Sequence, residues 1–483
     1  MPAGSLGAHL LRSSALTIAA STLTLALGFA RSVLLARLLA PEHFGVVTLA
    51  LFYIGLAAQL RGIGLDAALI HRQSTDEPFL RTYFSLRLGL DVIAFGALLG
   101  LTPLIQQLNP HVPALSSVMM VLVVTYFLSS LAQAQEALLR KHLAFGRLAI
   151  TDVAASATMT LVAPALAWLG WGVWALVAEQ VVGIAVRLLL LWGPFRQRLF
   201  ALGWAREQAR WLWEYGKPTW VASNLSFLLD RFDDFWIGTT LGETPLGLYA
   251  RAYELAHYPR RVLANPLVSV FAPAFARLQD DRLRLSQAFF RSAFVITRSS
   301  VFVAGAFALA MPEFIRYVIG EQWQPMLVTF WLMLIYTVLD PIVMLMTHFL
   351  LAIGQPAVLQ RANIVQALFF VPAVVIGAWL AGINGVAIAA NGMLILGALA
   401  LYPALKREAD FATSQLLFRP FLAGAIVLAV SFAVSAQCCA NNLAALSAKL
   451  VTFSATMLAW LFLLERSELL AGVQELRNHL RMR

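Results

Sequence analysis

Long apolar runs alternate with short, polar, mostly basic stretches from one end of the chain to the other. Fourteen of these runs have the ~20 residues needed to cross a ~30 Å hydrocarbon layer. They lie near 14–38, 44–70, 79–105, 114–135, 147–169, 172–193, 217–241, 246–273, 288–310, 324–353, 358–380, 383–403, 418–437 and 446–464. In lipid every backbone N–H and C=O must be satisfied within the spanning segment, and runs of this length exceed barrel strands. The pattern therefore predicts an all-α polytopic membrane protein of about fourteen transmembrane helices. The longest connection, 195–217, carries Leu199, Leu202, Ala209, Leu212 and Trp213 at helical spacing with arginines between them. That arrangement predicts a helix lying in the cytoplasmic interface, its aromatics at headgroup depth.

Composition agrees: the chain is 60% hydrophobic and 12% charged, against about 45–50% and about 25% in soluble domains. A net charge of +10 invites a nucleic-acid partner, but its distribution argues against one. On the alternation set by the runs, one series of loops holds Arg72, Arg81, Arg140, Lys141, Arg147, Arg206, Arg210, Arg282, Arg284, Lys406, Arg407 and the tail arginines Arg466, Arg477, Arg481 and Arg483. The opposite series holds Arg316 and Lys449. This is the bias that places basic loops, and here both termini, in the cytoplasm. The first apolar run reads as an uncleaved span rather than a removable leader. The two cysteines, Cys438 and Cys439, are adjacent and form neither a disulfide framework nor a metal motif.

An internal repeat divides the chain. LARLLAPEHFGVVTLA at 35–50 overlays IGTTLGETPLGLYARA at 237–252 with a constant offset of 202, matching Leu39 to Leu241 and Gly45 to Gly247. Both copies occupy the tight turn between the first two spans of their half, which predicts two pseudo-symmetric six-helix lobes followed by two C-terminal helices. The expected boundaries are 1–194 for the first lobe, 195–216 for the interfacial connector, 217–405 for the second lobe and 406–483 for the last two helices with a cytoplasmic tail.

Charges at span depth are the candidate chemistry. Inserting one costs at least about 2.5 kcal/mol, so such groups face water or a partner. Arg31, Arg37, Arg61, Arg261 and Arg298 gather on spans one, two, eight and nine, whereas Asp230, Asp233 and Asp234 lie on span seven. The three aspartates share a helix face at i, i+3 and i+4, with Arg231 about 100° away. They either pair with first-half arginines or hold a proton or sodium ion. Structural explanations serve for others: Arg87 with Asp91 and Arg251 with Glu254 are spaced for intrahelical pairs. Arg37 and Arg260 reach an interface, Asp340 marks a kink before Pro341, and His257 and His348 read as packed polar residues. No P-loop, GxSxG, HExxH or CxxC is present, so no enzyme chemistry, cofactor or metal is indicated.

The stretch RSVLLARLLAPEHFGVVTLALFYIGLAAQLRGIGLDAALIHRQ at 31–73 resembles the first helical pair of bacterial polysaccharide (oligosaccharide) flippases of the Wzx type. These share a superfamily with multidrug and toxin extruders and lipid II flippases. Similar likenesses run through 242–281, IGEQW at 319–323 and FLLAIGQP at 349–356. The resemblance implies a V of two six-helix lobes, often with two extra helices, in the bacterial inner membrane. It also implies transfer of a polyprenyl-pyrophosphate-linked oligosaccharide from the cytoplasmic to the periplasmic leaflet, with membrane lipids and polysaccharide polymerase or assembly proteins as partners. On that resemblance Arg31, Arg37, Arg61 and Arg261 are the candidates for holding the pyrophosphate, since guanidinium groups suit a dianionic phosphate. Asp66 and the acidic seventh span depart from a lipid II flippase. A cation-coupled multidrug exporter and a noncatalytic scaffold of an assembly complex remain open alternatives.

Overall fold

The computed structural model describes residues 3–73, 76–197, 201–438 and 443–464. Leu199, Cys439 and the tail arginines Arg466, Arg477, Arg481 and Arg483 lie outside the described residues. The chain forms two compact units that divide between Ala250 and Arg251.

The first unit holds α1 (Ala3–Leu38), α2 (Pro41–Arg61), α3 (Leu65–His71), α4 (Glu77–Leu108), α5 (Leu115–Lys141), α6 (Phe145–Trp168), α7 (Val173–Trp192), α8 (Arg206–Thr240) and the beginning of α9 (Glu243–Pro259). Pro41 opens α2 at a position where its fixed φ is already helical and its missing N–H costs nothing. Gly62 and Gly64 end that helix, Gly64 in the left-handed region at φ 61°. From Arg206 the segment expected to lie in the interface is helical and forms the opening of α8, which continues to Thr240 as one helix.

α2 and α8 run antiparallel and touch along their whole length. At one end a Cβ on Gly45 would sit 1.8 Å from the Glu243 carbonyl oxygen, and one on Gly247 1.8 Å from that of Pro41. Further along, Gly238 faces Leu49, the Phe52 and Phe235 rings stack at 5.0 Å, and Phe227 closes over Gly55. At the other end Trp220 Nε1 donates to the Leu60 carbonyl at 2.9 Å, and Gly216 meets the Ile63 carbonyl. The two turns aligned by the repeat thus lie at the same end of the unit, in backbone contact that only glycine permits.

The second unit continues α9 into a π-helical turn at Arg260–Ala264, then α10 (Asn265–Arg277), α11 (Arg282–Phe314), a second π-turn at Ile315–Ile319 and a 3₁₀ turn at Glu321–Met326. It proceeds through α12 (Leu327–Ala352), α13 (Pro356–Glu408), a π-turn at Ser414–Phe418, α14 (Arg419–Cys438) and α15 (Leu443–Leu464). The 53 residues of α13 would reach ~80 Å if straight, more than twice a ~30 Å hydrocarbon core. They are a hairpin: Ala381 and Gly382 leave helical geometry, Gly382 at φ 56°, and the backbones of Gly377 and Gly385 touch beyond the turn. α15 packs on α11, with Phe453 fully buried over Gly305.

Every apolar run predicted from sequence coincides with a helical segment, and the described elements are all helical. Ten of the described helices are long and apolar enough to cross a membrane. The protein is a multi-pass membrane protein.

Candidate functional site

Four groups of charged side chains, buried to different degrees, occur in the first unit. The densest is built on α4, where Tyr83, Arg87 and Asp91 succeed each other at i, i+4 on one face. Arg87 pairs with Asp66 of α3, and Tyr83 donates its hydroxyl to the same carboxylate at 2.5 Å. A second Arg87 nitrogen donates to Gln133 of α5 at 2.7 Å. Arg61, at the last turn of α2, pairs with Asp91 and places its guanidinium 5.3 Å from the Phe95 ring centre. The Asp91 side chain is 1% exposed, Arg87 5% and Arg61 10%, so these charges persist only because they neutralise one another. The expected Arg87–Asp91 pair is the loosest contact, at 3.9 Å.

Next to this group Arg187 of α7 bridges Glu136 at 3.2 Å and Asp152 at 2.7 Å. Arg31 of α1 lies at a third place. Its Nε meets Glu179 of α7 at 2.9 Å, and Nη1 reaches the Ser156 carbonyl and Thr160 hydroxyl of α6 at 3.4 Å each. Arg37 is exposed in the last turn of α1, where a cation complements the helix dipole.

The aspartates of α8 form the fourth. Asp233 and Asp234 are buried, Asp230 exposed. Asp233 accepts from the fully buried Tyr249 hydroxyl at 2.6 Å and from the Asp234 backbone N–H at 3.0 Å. Arg231 donates to Asp234 at 3.1 Å. Arg31, one of the first-half arginines, does not pair with Asp233 in this conformation: Arg31 meets Glu179, and Asp233 meets Tyr249.

In the second unit Arg251 pairs with Glu254 at 2.8 Å, as the spacing predicts. Arg260 and Asp340 behave otherwise. Arg260, the first residue of the π-turn, places its Nη1 2.8 and 3.1 Å from the carboxylate oxygens of Asp340 on α12. The interface-seeking arginine and the carboxylate expected to mark a kink are therefore one ion pair. Arg261, on the same turn, is exposed, with its guanidinium 5.9 Å from the Tyr258 ring. Arg298 is buried on α11, where it donates to the Gln415 carbonyl at 3.0 Å and lies 3.6 Å over Phe294. Within that unit the geometry makes Arg298 a clamp on the segment leading into α14. Among the described residues no group of His, Cys, Asp and Glu is arranged to hold a metal.

Sequence spacing missed the cross-helix partners: Asp66 for Arg87, Glu179 for Arg31, Asp340 for Arg260 and Glu313 for Lys449 at 2.6 Å. The i, i+4 series Tyr83, Arg87, Asp91 was the available signal for the densest cluster.

A family model described as polysaccharide biosynthesis protein matches residues 34–328. The chain is 25% identical over 376 residues to the lipopolysaccharide biosynthesis protein WzxC of Escherichia coli (strain K12), covering 76% of this chain and 75% of that one. It is 28% identical over 311 residues to the succinoglycan biosynthesis transport protein ExoT of Rhizobium meliloti (strain 1021), covering 64% and 62% respectively. Among solved structures, the lipid II flippase MurJ in an inward closed conformation superposes with a TM-score of 0.76 at 14% sequence identity, covering 95% of this chain and 100% of that one. That likeness is one of fold.

Proposed function

The chain belongs to the polysaccharide biosynthesis protein family, and from that membership we propose that it is a flippase for a lipid-linked saccharide. On this reading the substrate is a polyprenyl-pyrophosphate-linked oligosaccharide, moved from the cytoplasmic to the periplasmic leaflet of the bacterial inner membrane. The names of WzxC and ExoT, one of lipopolysaccharide biosynthesis and one of succinoglycan transport, support a surface or exported polysaccharide as the destination.

The observation that carries the proposal is that Arg31 and Arg61 each hold a carboxylate, Glu179 and Asp91, while 15% and 10% of their side chains remain exposed. A pyrophosphate accepts bidentately from guanidinium as a carboxylate does, and its two negative charges exceed the carboxylate's one. Substrate entry exchanges an internal anion for an external one, so the arginines are never left uncompensated in low dielectric. The carboxylates thus keep the empty protein stable and set a threshold that neutral or cationic lipids do not pass. Asp233 and Asp234, held by Tyr249 and Arg231 in this conformation, are the proposed gate: their bonds change partners as the transporter changes state.

Arg31→Ala and Arg61→Ala, introduced separately, are expected to abolish export of the lipid-linked saccharide per unit of protein in the membrane, the level being measured because Arg61→Ala also removes the close partner of buried Asp91. Lysine at either position restores only part of the activity, because an ammonium lacks the bidentate fork. Export assays in cells lacking the native gene, with the accumulated lipid-linked intermediate quantified, provide the measurement. Full export by both alanine variants rejects the cationic site.

A further inference from the structure

The second unit contains a cavity of about 520 Å³ at the C-terminal end of α11, lined by charged, amide and aromatic side chains. Glu313, Arg316, Tyr317, Glu321, Gln324 and Lys449 line it. Irregular backbone builds it. α11 passes into the π-turn at Ile315–Ile319, Gly320 takes φ 109°, and the 3₁₀ turn Glu321–Met326 follows, anchored by the fully buried Trp323. π-turns inside helices frequently mark functional sites. This one presents Arg316 and Tyr317 outward, where a continued α-helix would have rotated them elsewhere.

The lining has a specific chemistry. Lys449 of α15 meets Glu313 Oε1 at 2.6 Å, and Glu313 is only 7% exposed. Its other oxygen, Oε2, is buried from solvent with no hydrogen-bond partner among the described residues, whereas Glu321 across the cavity is exposed. Arg316 is exposed, its guanidinium 5.7 Å from the Tyr317 ring. Two cations face two carboxylates, so the lining has no net charge. A phosphate site would carry an excess of guanidinium or ammonium groups, and a metal site an excess of oxygen anions without arginine. A lipid-tail site would be apolar. Fixed donors alternating with fixed acceptors, beside an amide and an aromatic face, suit hydroxyl groups, each of which donates and accepts at once.

We propose that this cavity is a binding site for neutral saccharide, taking the carbohydrate part of the delivered product. The assignment rests on the flippase reading for the origin of the sugar. It does not depend on that reading for the binding chemistry. Arg316 and Lys449 are the two basic residues that the loop alternation assigns to the outer side, and the fold brings both to this one cavity. The saccharide therefore meets it on the side where the product emerges. Glu321 accepts from a sugar hydroxyl, Arg316 and Gln324 donate to ring or hydroxyl oxygens, and Tyr317 covers an apolar ring face; all four are exposed at the cavity.

Saturation-transfer NMR on the purified full chain, with a panel of free neutral oligosaccharides of glucose, galactose, mannose and N-acetylglucosamine, tests this. Transfer to at least one member is expected. Arg316→Ala and Gln324→Ala remove exposed side chains and leave the fold intact. Each is expected to weaken binding by about tenfold, the loss of one or two good hydrogen bonds. Glu321→Gln, which keeps the size of the exposed acceptor and removes its charge, is expected to weaken it as well. No transfer to any member overturns the proposal, and so does transfer unchanged in all three variants. Displacement of the sugar by inorganic phosphate or calcium also overturns it, because the cavity would then be an ion site. The chain carrying Arg31→Ala and Arg61→Ala is expected to bind the panel like the native protein. The export assay and the NMR assay thus fail independently.

Discussion

Gly45 and Gly247 show how much a single hydrogen in place of a methyl group decides. A Cβ at Gly45 would lie 1.8 Å from the Glu243 carbonyl oxygen and 3.0 Å from its Cα, backbone atoms that no rotamer change can move away. Overpacking of this kind costs about 1–3 kcal/mol, which shifts a balanced conformational equilibrium by roughly tenfold or more. Gly45→Ala is therefore expected to hold the turns of α2 and α9 apart and to reduce export by about that factor at normal membrane levels. Gly28, whose added Cβ would meet nothing within 4 Å, supplies the matched control: Gly28→Ala is expected to export normally. Equal activity of the two variants in the same export assay contradicts the close approach. The same scale explains why the charged residues divide as they do. Arg61 and Arg87 survive burial because Asp91 and Asp66 lie against them, whereas Arg37 needs no partner at its exposed helix end.

At the scale of elements, α2 and α8 form a seam closed at both ends, from Gly45 against Glu243 to Ile63 against Gly216. Transport by alternating access requires each end to open in turn, so pinning either end should arrest the cycle. With Cys438 and Cys439 replaced by alanine, Leu49→Cys with Gly238→Cys pins one end by a disulfide. Leu60→Cys with Trp220→Cys pins the other by a short bis-maleimide. Each cross-link is expected to stop export, reversibly for the disulfide on reduction. Undiminished export with both pairs fully cross-linked would show that the seam is static. The sequence made this seam partly legible. The offset that aligned Gly45 with Gly247 placed two glycine turns at the same end, and the structure packs them backbone to backbone. Helix positions were legible because a ~20-residue apolar run has few other uses in a chain this hydrophobic. The partners of the charges were not. Whether Arg31 meets Glu179 or Asp233 depends on how α1, α7 and α8 are rotated about their axes. Helices apolar around most of their circumference carry little pattern to fix that rotation. Arg260 was misread for a related reason: its partner Asp340 lies on another helix, 80 residues further along the chain, and the meeting depends on how the two helices are rotated against each other.

For the whole molecule, the charges that make the chain basic predict an orientation in the membrane. Arg282, Arg284 and Arg291 open α11 or its first turns, while Arg316 stands just past its far end. The hairpin in α13 returns the chain to the side it left, so Arg361 near its start and Lys406 and Arg407 at its end share one side. α15 then places Lys449 beside Glu313 at the same end of α11 as Arg316. Each element independently sorts its basic residues to the same two sides, as the positive-inside rule requires when the Arg282 and Arg407 side is cytoplasmic. A cysteine-free chain carrying Tyr317→Cys is thus expected to react with a membrane-impermeant maleimide in intact cells. One carrying Arg282→Cys is expected to react only after permeabilisation. Tyr317 and Arg282 are both exposed in the structure, so a missing reaction reports the membrane and not a buried thiol. Green fluorescent protein fused after Arg483 is expected to fluoresce, and alkaline phosphatase at the same point to stay inactive. Reaction of the Arg282 thiol from outside, with Tyr317 protected, would invert the assignment. The saccharide cavity would then face the compartment where the lipid-linked sugar is made, as a site of entry rather than of delivery.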